Sequence, residues 1–134
     1  MKIDHLTLLV SSLEKSLPYY ARLLALLGFE RRGEGVWSDG EGFSLQILEA
    51  RPGTAPYARY GAGMNHLGFA AGSPAEVRAI RAAMIDAGFV APAPQELDGA
   101  LALFMGDPDG IRFEITYTPP GASVVDGADP ARRG

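Results

Sequence analysis

The feature that most constrains this fold is a weak internal repeat, in which the second half of the chain follows the order of the first. Each half opens with a strand candidate that carries a histidine, continues with a helix that ends at a Gly-Phe pair, and closes with a turn between two strands. The matching segments are 4–6 with 65–67, 27–29 with 87–89, and 39–42 with 107–110. This order predicts an α+β fold made of two βαβββ modules in tandem.

The first module begins with an apolar run at 3–10, rich in β-branched residues and leucine, which predicts a strand. Ser11 and Glu14 have the spacing of a capping box and predict the start of a helix, and Gly28 stands where that helix should end. Pro18 should kink the helix or delay its start, because proline has no amide hydrogen to donate. Further strands are predicted at 29–32, 36–38 and 43–49.

The second module repeats this order with a clearer helix start. A strand is predicted at 64–71, and Ser73, Pro74 and Glu76 supply an N-cap, a proline in the first turn and an acidic residue after it. Gly88 should end the helix. Further strands are predicted at 89–91, 100–106 and 111–117.

These elements predict one domain at 1–118. Module one is expected at 1–50 and module two at 64–118, and the Gly-, Pro- and Ala-rich segment 51–63 reads as the linker between them. Residues 119–134 have little to bury and are predicted to be a flexible C-terminal tail.

Composition narrows the class of function. The chain has 134 residues, a formal net charge of -4 and no cysteine. Thiolate metal sites, disulfides and a cysteine nucleophile are therefore excluded, and an acidic balance argues against nucleic acid as a partner. No stretch is apolar enough to span a bilayer or patterned as a signal peptide, so we expect a cytoplasmic protein without a membrane partner.

Four polar residues fall at equivalent positions of the repeat. His5 and His66 are the two histidines of the chain, and aligning the repeat on its turns pairs Gln46 with Glu114. If the modules pack about a pseudo-twofold axis, these side chains should converge. One histidine in an apolar strand is more often a packed residue than a ligand, but two at one repeat position beside a carboxylate favour a metal site. His5, His66 and Glu114 would form a facial triad, which suits Fe, Mn, Ni or Zn.

The alternation of side chains along a strand selects the fourth position of this set. On 43–49, Gln46 shares a face with Ser44 and Leu48, whereas Glu49 points to the other face. Gln46 is therefore the candidate fourth ligand or the residue that orients a bound water. A half-buried glutamine satisfied by the backbone is an equally good interpretation of Gln46.

The motifs of the repeat resemble the vicinal oxygen chelate superfamily, which includes glyoxalase I, extradiol dioxygenases and the bleomycin-resistance proteins. The resemblance rests on the opening IDHLTLLV run, on the segments NHLGF and DPDGIRFEI, and covers about residues 1–117. It implies that the two modules form an open, curved mixed sheet around a cavity. It also implies one divalent metal per chain at His5, His66 and Glu114, and a homodimer in which cavities are sometimes shared between chains.

The function implied by this resemblance is a metal-dependent enzyme of lyase, dioxygenase or transferase type. Its substrate would be a small molecule that chelates the metal through adjacent oxygens, with Glu114 as the catalytic base. Glyoxalase I usually has an acidic residue where this chain has Gln46, and an amide cannot act as a base, so a relay of two carboxylates is not expected. The alternatives are a metal-free dimeric drug-binding protein of the bleomycin-resistance type and a member that binds metal without turnover.

Five further residues are candidates for the substrate pocket, and each also has a plain structural interpretation. Loops held on a rigid scaffold often carry specificity, but surface packing explains the linker residues equally well. For the tryptophan, core packing is the default. The candidates are Tyr57, Arg59, Tyr60, Arg112 and Trp37.

Overall fold

The computed structural model describes residues 1–122 and contains two successive βαβββ units. Of the tail predicted at 119–134, residues 123–134 lie outside the described part. The first unit comprises β1 (His5–Val10), α1 (Leu13–Leu26), β2 (Glu30–Gly33), β3 (Val36–Ser38) and β4 (Ser44–Glu49). The second comprises β5 (His66–Ala70), α2 (Pro74–Asp86), β6 (Gln95–Leu97), β7 (Ala100–Gly106) and β8 (Arg112–Tyr117).

Each unit forms its own four-stranded mixed sheet with one helix. The strand orders are β1-β4-β3-β2 and β5-β8-β7-β6. In both sheets the first and last strands of the unit pair in parallel, and the other neighbours are antiparallel. The predicted α+β class with tandem βαβββ modules is confirmed, with two open sheets rather than one continuous sheet. No helix within residues 1–122 is long and apolar enough to cross a membrane.

The pairing of strands supports the alignment of the repeat. The residue two positions after His5 lies opposite Gln46, and the residue two positions after His66 lies opposite Glu114. Gln46 and Glu114 therefore occupy the same place in the two sheets, as the turn-based alignment predicts.

The first helix begins one residue later than its capping pattern predicts. Ser12, not Ser11, is the N-cap, and its hydroxyl accepts a hydrogen bond from the Lys15 amide at 3.3 Å. The amide of Ser11 instead donates to the Asp109 carboxylate of the second module at 2.8 Å, a contact that no local pattern could reveal. The helix runs through Pro18, so proline does not delay its start. The second helix begins at Ser73 as predicted.

The strand predicted at 89–91 is wrong, because β6 lies at Gln95–Leu97. Phe89 is still part of the helix end, where its amide donates to Met84 O at 3.0 Å, and prolines at 92 and 94 cannot donate to a ladder. The missed signal is Asp98-Gly99, a two-residue hairpin turn with positive φ values of 48° and 85°.

Aromatic residues of α1 join the two modules. Tyr19 and Tyr20 are almost fully buried, and the Tyr20 ring packs edge-on against Phe113 of β8 with centroids 5.6 Å apart. The Tyr20 hydroxyl donates to Asp107 at 2.5 Å, and the other carboxylate oxygen of Asp107 accepts the amides of Asp109 and Ile111 at 2.8 Å each. Burial raises the pKa of Asp107, although the hydrogen bonds that it accepts act in the opposite direction.

Candidate functional site

The candidate site is built on the parallel pair β5 and β8 of the second module. His66 Nε2 and Glu114 Oε2 lie 3.0 Å apart, with 18% of the histidine side chain and 4% of the glutamate side chain exposed. Thr116 donates from Oγ1 to Glu114 Oε1 at 2.6 Å, which leaves Oε2 directed at His66. The pair lines a cavity of about 400 Å³. Two polar atoms of different strands therefore converge at one largely buried point.

Asn65 fixes the protonation of the His66 ring. The Asn65 amide nitrogen donates to Arg59 O at 2.9 Å, so the amide oxygen is the atom 2.7 Å from His66 Nδ1. An oxygen in that place can only accept, and Nδ1 must carry the proton. In the neutral form of the ring, the lone pair is then on Nε2, the atom that faces Glu114.

The pair has the donor chemistry that a metal ion requires. A lone pair on Nε2 and a carboxylate oxygen 3.0 Å away repel each other unless a proton or a cation lies with them. Metal-bound histidines typically donate their other ring N–H to an amide or carboxylate oxygen, and the Asn65 oxygen lies where it could accept such a bond. His66 and Glu114 therefore fit two positions of a divalent metal site.

The equivalent side chains of the first module are more open. His5 has 64% of its side chain exposed, and its Nδ1 lies 2.6 Å from the Asp4 carboxylate. That carboxylate holds Nδ1 as the donor, as Asn65 does for His66. Gln46 accepts a hydrogen bond from Thr7 Oγ1 at 3.1 Å through its side-chain oxygen.

The structure does not bring the first-module histidine to the pair of the second module. No three His, Cys, Asp or Glu side chains among residues 1–122 form a group that could hold a metal ion. His66 and Glu114 meet, whereas His5 and Gln46 lie together on the other sheet. One chain thus presents two half-sites, one buried and one exposed.

Glu49 takes the place that strand alternation predicts for it, away from Gln46. Its carboxylate accepts a hydrogen bond from the Leu13 amide at 3.1 Å, at the N-terminus of α1. A negative charge there offsets the unpaired amides and the dipole of the helix end. Glu49 is accounted for by a structural role.

The sheet face that carries His5 also exposes apolar side chains. Leu9 and Leu48 lie opposite each other on β1 and β4, on the face of His5 and Gln46, and are 53% and 41% exposed. These leucines form a small apolar patch beside His5 and Gln46.

Three of the predicted pocket residues are not among those that line a cavity with Arg59 and Arg112, although the Arg59 guanidinium carbon lies 4.8 Å from the Tyr60 ring centroid. Trp37 is 2% exposed and pairs with Leu45, so it faces the core and not the His5 face. The Tyr57 hydroxyl donates to Met64 O and Asn65 O at 2.8 and 2.9 Å, which fastens the linker beside His66. Tyr60 is 65% exposed.

Arg59 and Arg112 do line a common cavity, next to the His66–Glu114 pair. Arg112 pairs with His66 across β5 and β8. Phe104, which the sequence patterns did not indicate, packs between His66 and Arg112. Its ring centroid is 6.4 Å from that of His66 and 4.0 Å from the Arg112 guanidinium carbon. Phe104 pairs with Glu114 across β7 and β8, and residues that pair in a ladder share a face of the sheet. This pairing is the signal that could have identified Phe104 as a neighbour of the site.

Solved structures share this architecture over nearly their full lengths. A glyoxalase candidate from Bacillus halodurans is 23% identical, with a TM-score of 0.73 over 87% of this chain and 95% of that chain. A glyoxylase/bleomycin resistance protein/dioxygenase domain from Frankia sp. EAN1pec is 22% identical, with a TM-score of 0.70 over 87% and 97%. A glyoxalase/dioxygenase from Nostoc punctiforme is 17% identical, with a TM-score of 0.66 over 88% and 91%. At sequence identities this low, the structural similarity shows the fold of the chain alone.

Curated proteins give no match to this chain. A family model, in contrast, covers most of it: the model of the Glyoxalase/Bleomycin resistance protein/Dioxygenase superfamily matches residues 2–115. That span takes in both modules and all four equivalent polar positions. The chain therefore belongs to the glyoxalase/bleomycin resistance protein/dioxygenase superfamily.

Proposed function

We propose that this chain is a metal-dependent enzyme of glyoxalase or dioxygenase type, acting on a small molecule that chelates the metal through adjacent oxygens. The observation that carries the proposal is the convergence of His66 Nε2 and Glu114 Oε2 at 3.0 Å, with the Asn65 side-chain oxygen 2.7 Å from the other ring nitrogen. In a metal-free binding protein, a proton would have to lie between these two atoms instead. The metal would be Fe, Mn, Ni or Zn.

The metal would act as a Lewis acid that polarises a substrate oxygen. The chain itself supplies Glu114, whose carboxylate would accept a proton from the bound molecule. Thr116 holds one oxygen of that carboxylate, and Asn65 holds the imidazole in one orientation. Gln46 can orient a water or a substrate oxygen but cannot take a proton. Proton transfer therefore falls to one carboxylate.

The third ligand, in this proposal, is His5 of a second copy of the chain. The exposed half-site has the complementary donor, and the leucines beside it offer an apolar surface for a partner. A twofold dimer would place the His5 face of each copy over the His66–Glu114 pair of the other. Two equivalent sites would result, each made by both chains.

Metal retention is the direct test of the proposed enzyme class. After reconstitution with Fe(II), Mn, Ni and Zn separately and dialysis, elemental mass spectrometry should find about one metal ion per chain for the preferred ion. Protein without a histidine tag is needed, because a tag binds the same ions. Retention of none of the four would contradict the proposal and favour the metal-free, drug-binding alternative.

Mixed dimers test the sharing of sites. Chains carrying His5→Ala and Glu114→Gln are produced together with two different non-histidine tags, and dimers that carry both tags are isolated. If sites are shared, one site of each mixed dimer has all its ligands, and about half the metal of the wild-type dimer should return. Each variant alone should retain little.

The opposite outcomes are equally informative. Mixed dimers that hold no more metal than the separate variants would show that each site belongs to one chain. Wild-type metal content in His5→Ala alone would remove His5 from the ligand set.

A further inference from the structure

The linker between the modules is fastened to both strands that carry the candidate metal pair. From the linker, the Tyr57 hydroxyl donates to Met64 O at 2.8 Å and to Asn65 O at 2.9 Å, the two carbonyls directly before β5. Burial raises the pKa of Tyr57, and a backbone hydrogen bond from Arg112, the first residue of β8, acts in the opposite direction. One linker side chain therefore bridges the beginnings of β5 and β8.

This bridge lies at the end of the strand pair where the candidate ligands stand. Arg112 pairs with His66 at the first register position of β5 and β8, and Glu114 follows two residues later. Strand ends open more easily than strand centres, because ladder bonds hold them from one side only. A side chain that bonds to both strands at this end limits how far His66 moves relative to Glu114, whose side chains now lie 3.0 Å apart.

A second contact carries the position of the linker to the imidazole ring. Asn65 Nδ2 donates to Arg59 O in the linker at 2.9 Å, and Asn65 Oδ1 lies 2.7 Å from His66 Nδ1. The nitrogen and the oxygen belong to one planar amide, so a linker that moves away from Asn65 also releases the oxygen beside the ring. The orientation of the His66 ring thus depends on the folded linker.

The equivalent histidine of module one is held differently. His5 Nδ1 lies 2.6 Å from the carboxylate of Asp4, its neighbour in the sequence, and the Asp4 side chain is 87% exposed. That contact joins two adjacent residues at the surface, whereas the contact at His66 reaches back to the linker. His5 is therefore an internal reference for any change that the linker causes at His66.

We propose that Tyr57 is a positioning residue of the metal site, through which the folded linker sets the placement of His66 relative to Glu114. Because a coupling free energy is reciprocal, metal binding in turn holds the linker in its folded position. The inference names what controls the affinity of the site, and its metal-dependent half rests on the proposed function. The placement of the His66 ring in the metal-free protein does not depend on that function.

The first test is the metal affinity of Tyr57→Phe, which removes the bridging hydroxyl and keeps the ring. Competition between untagged protein and a chromogenic chelator, with whichever of Fe(II), Mn, Ni and Zn the wild type retains best, should show about a tenfold loss, as for outer partners of metal ligands. Tyr117→Phe is the matched control. Tyr117 is a half-buried tyrosine at the other end of β8, on the strand face opposite to Glu114, and its variant should keep wild-type affinity.

A second measurement separates positioning from general stability and needs no metal. Nitrogen-15 NMR of the imidazole rings in metal-free protein reports on two rings, because the chain has two histidines. Tyr57→Phe should shift the ring signals of His66 and leave those of His5 in place. Tyr117→Phe should shift neither.

The third measurement uses the wild-type chain alone, so it does not depend on whether a variant folds. Hydrogen exchange followed by mass spectrometry should show that the retained ion slows exchange of the amides at 51–63 by at least about fivefold. The Asp98-Gly99 turn, which lies outside the linker, should change less.

Unchanged metal affinity in Tyr57→Phe, or an equal loss in Tyr117→Phe, would overturn the proposal. Equal shifts of both histidine rings would do so too, and so would linker exchange that the metal leaves unaltered. Retention of no ion by the wild type would end the proposed function and the metal-dependent half of this inference. The ring signals of metal-free Tyr57→Phe would still decide whether Tyr57 positions His66, so the two failures are distinguishable.

Discussion

Glu114→Gln is expected to lower metal affinity by at least about 100-fold, more than is typical for loss of an outer partner of a metal ligand. Glutamine has the size of glutamate and keeps an oxygen for the Thr116 hydroxyl, so the fold should survive. What it loses is the negative charge at the position 3.0 Å from His66 Nε2. Competition with a chromogenic chelator would give the affinity, and circular dichroism would verify the fold.

Two controls sharpen this result. Glu49→Gln removes a carboxylate of the same kind from the opposite face of β4, where it serves the α1 N-terminus, and should leave metal affinity nearly unchanged. Gln46→Ala should weaken binding less than Glu114→Gln, because an amide oxygen is a weak ligand. A large loss in Glu49→Gln, or a larger effect at Gln46 than at Glu114, would show that the ligands lie on a different face.

Asp107→Ala is expected to reduce the free energy of unfolding by about 3–5 kcal/mol, since hydrogen bonds to a charged group contribute about 1.5–3 kcal/mol each and the donors remain buried. The change leaves the Tyr20 hydroxyl and the amides of Asp109 and Ile111 without their acceptor. It also removes the polar contact between α1 and the turn of the second module. Urea unfolding followed by tyrosine and tryptophan fluorescence measures the change.

The internal repeat provides the matched control for Asp107. Asp39 closes the equivalent turn of module one, where its carboxylate accepts the amides of Glu41 and Phe43 at 2.7 and 3.0 Å. It is half-buried, so Asp39→Ala should cost only about 1 kcal/mol, the usual net contribution of such bonds near the surface. Equal losses in the two variants would mean that the contact with Tyr20 adds nothing to stability.

Local patterns in the sequence were sufficient for most of the elements and for the faces of the strands. Strand alternation has a period of two, so Gln46 and Glu49 had to lie on opposite faces, and the structure places them so. The repeat predicted the equivalence of Gln46 and Glu114, which the strand pairing supports. The prediction failed in the proline-rich segment after α2: the apolar run at 89–91 is not a strand, and β6 lies just before the Asp98-Gly99 turn.

The sequence by itself determined two βαβββ modules and the equivalence of their polar positions. The modules follow from patterns among residues that are near in the chain, and the equivalence follows from aligning the two repeats on their turns. Only the tertiary structure decided which of those positions meet. His66 and Glu114 converge across a parallel strand pair, while His5 stays exposed on another sheet. The cavity of Arg59 and Arg112 likewise depends on how the linker folds back over β8. Packing between distant segments sets such distances, and no local period in the sequence records them.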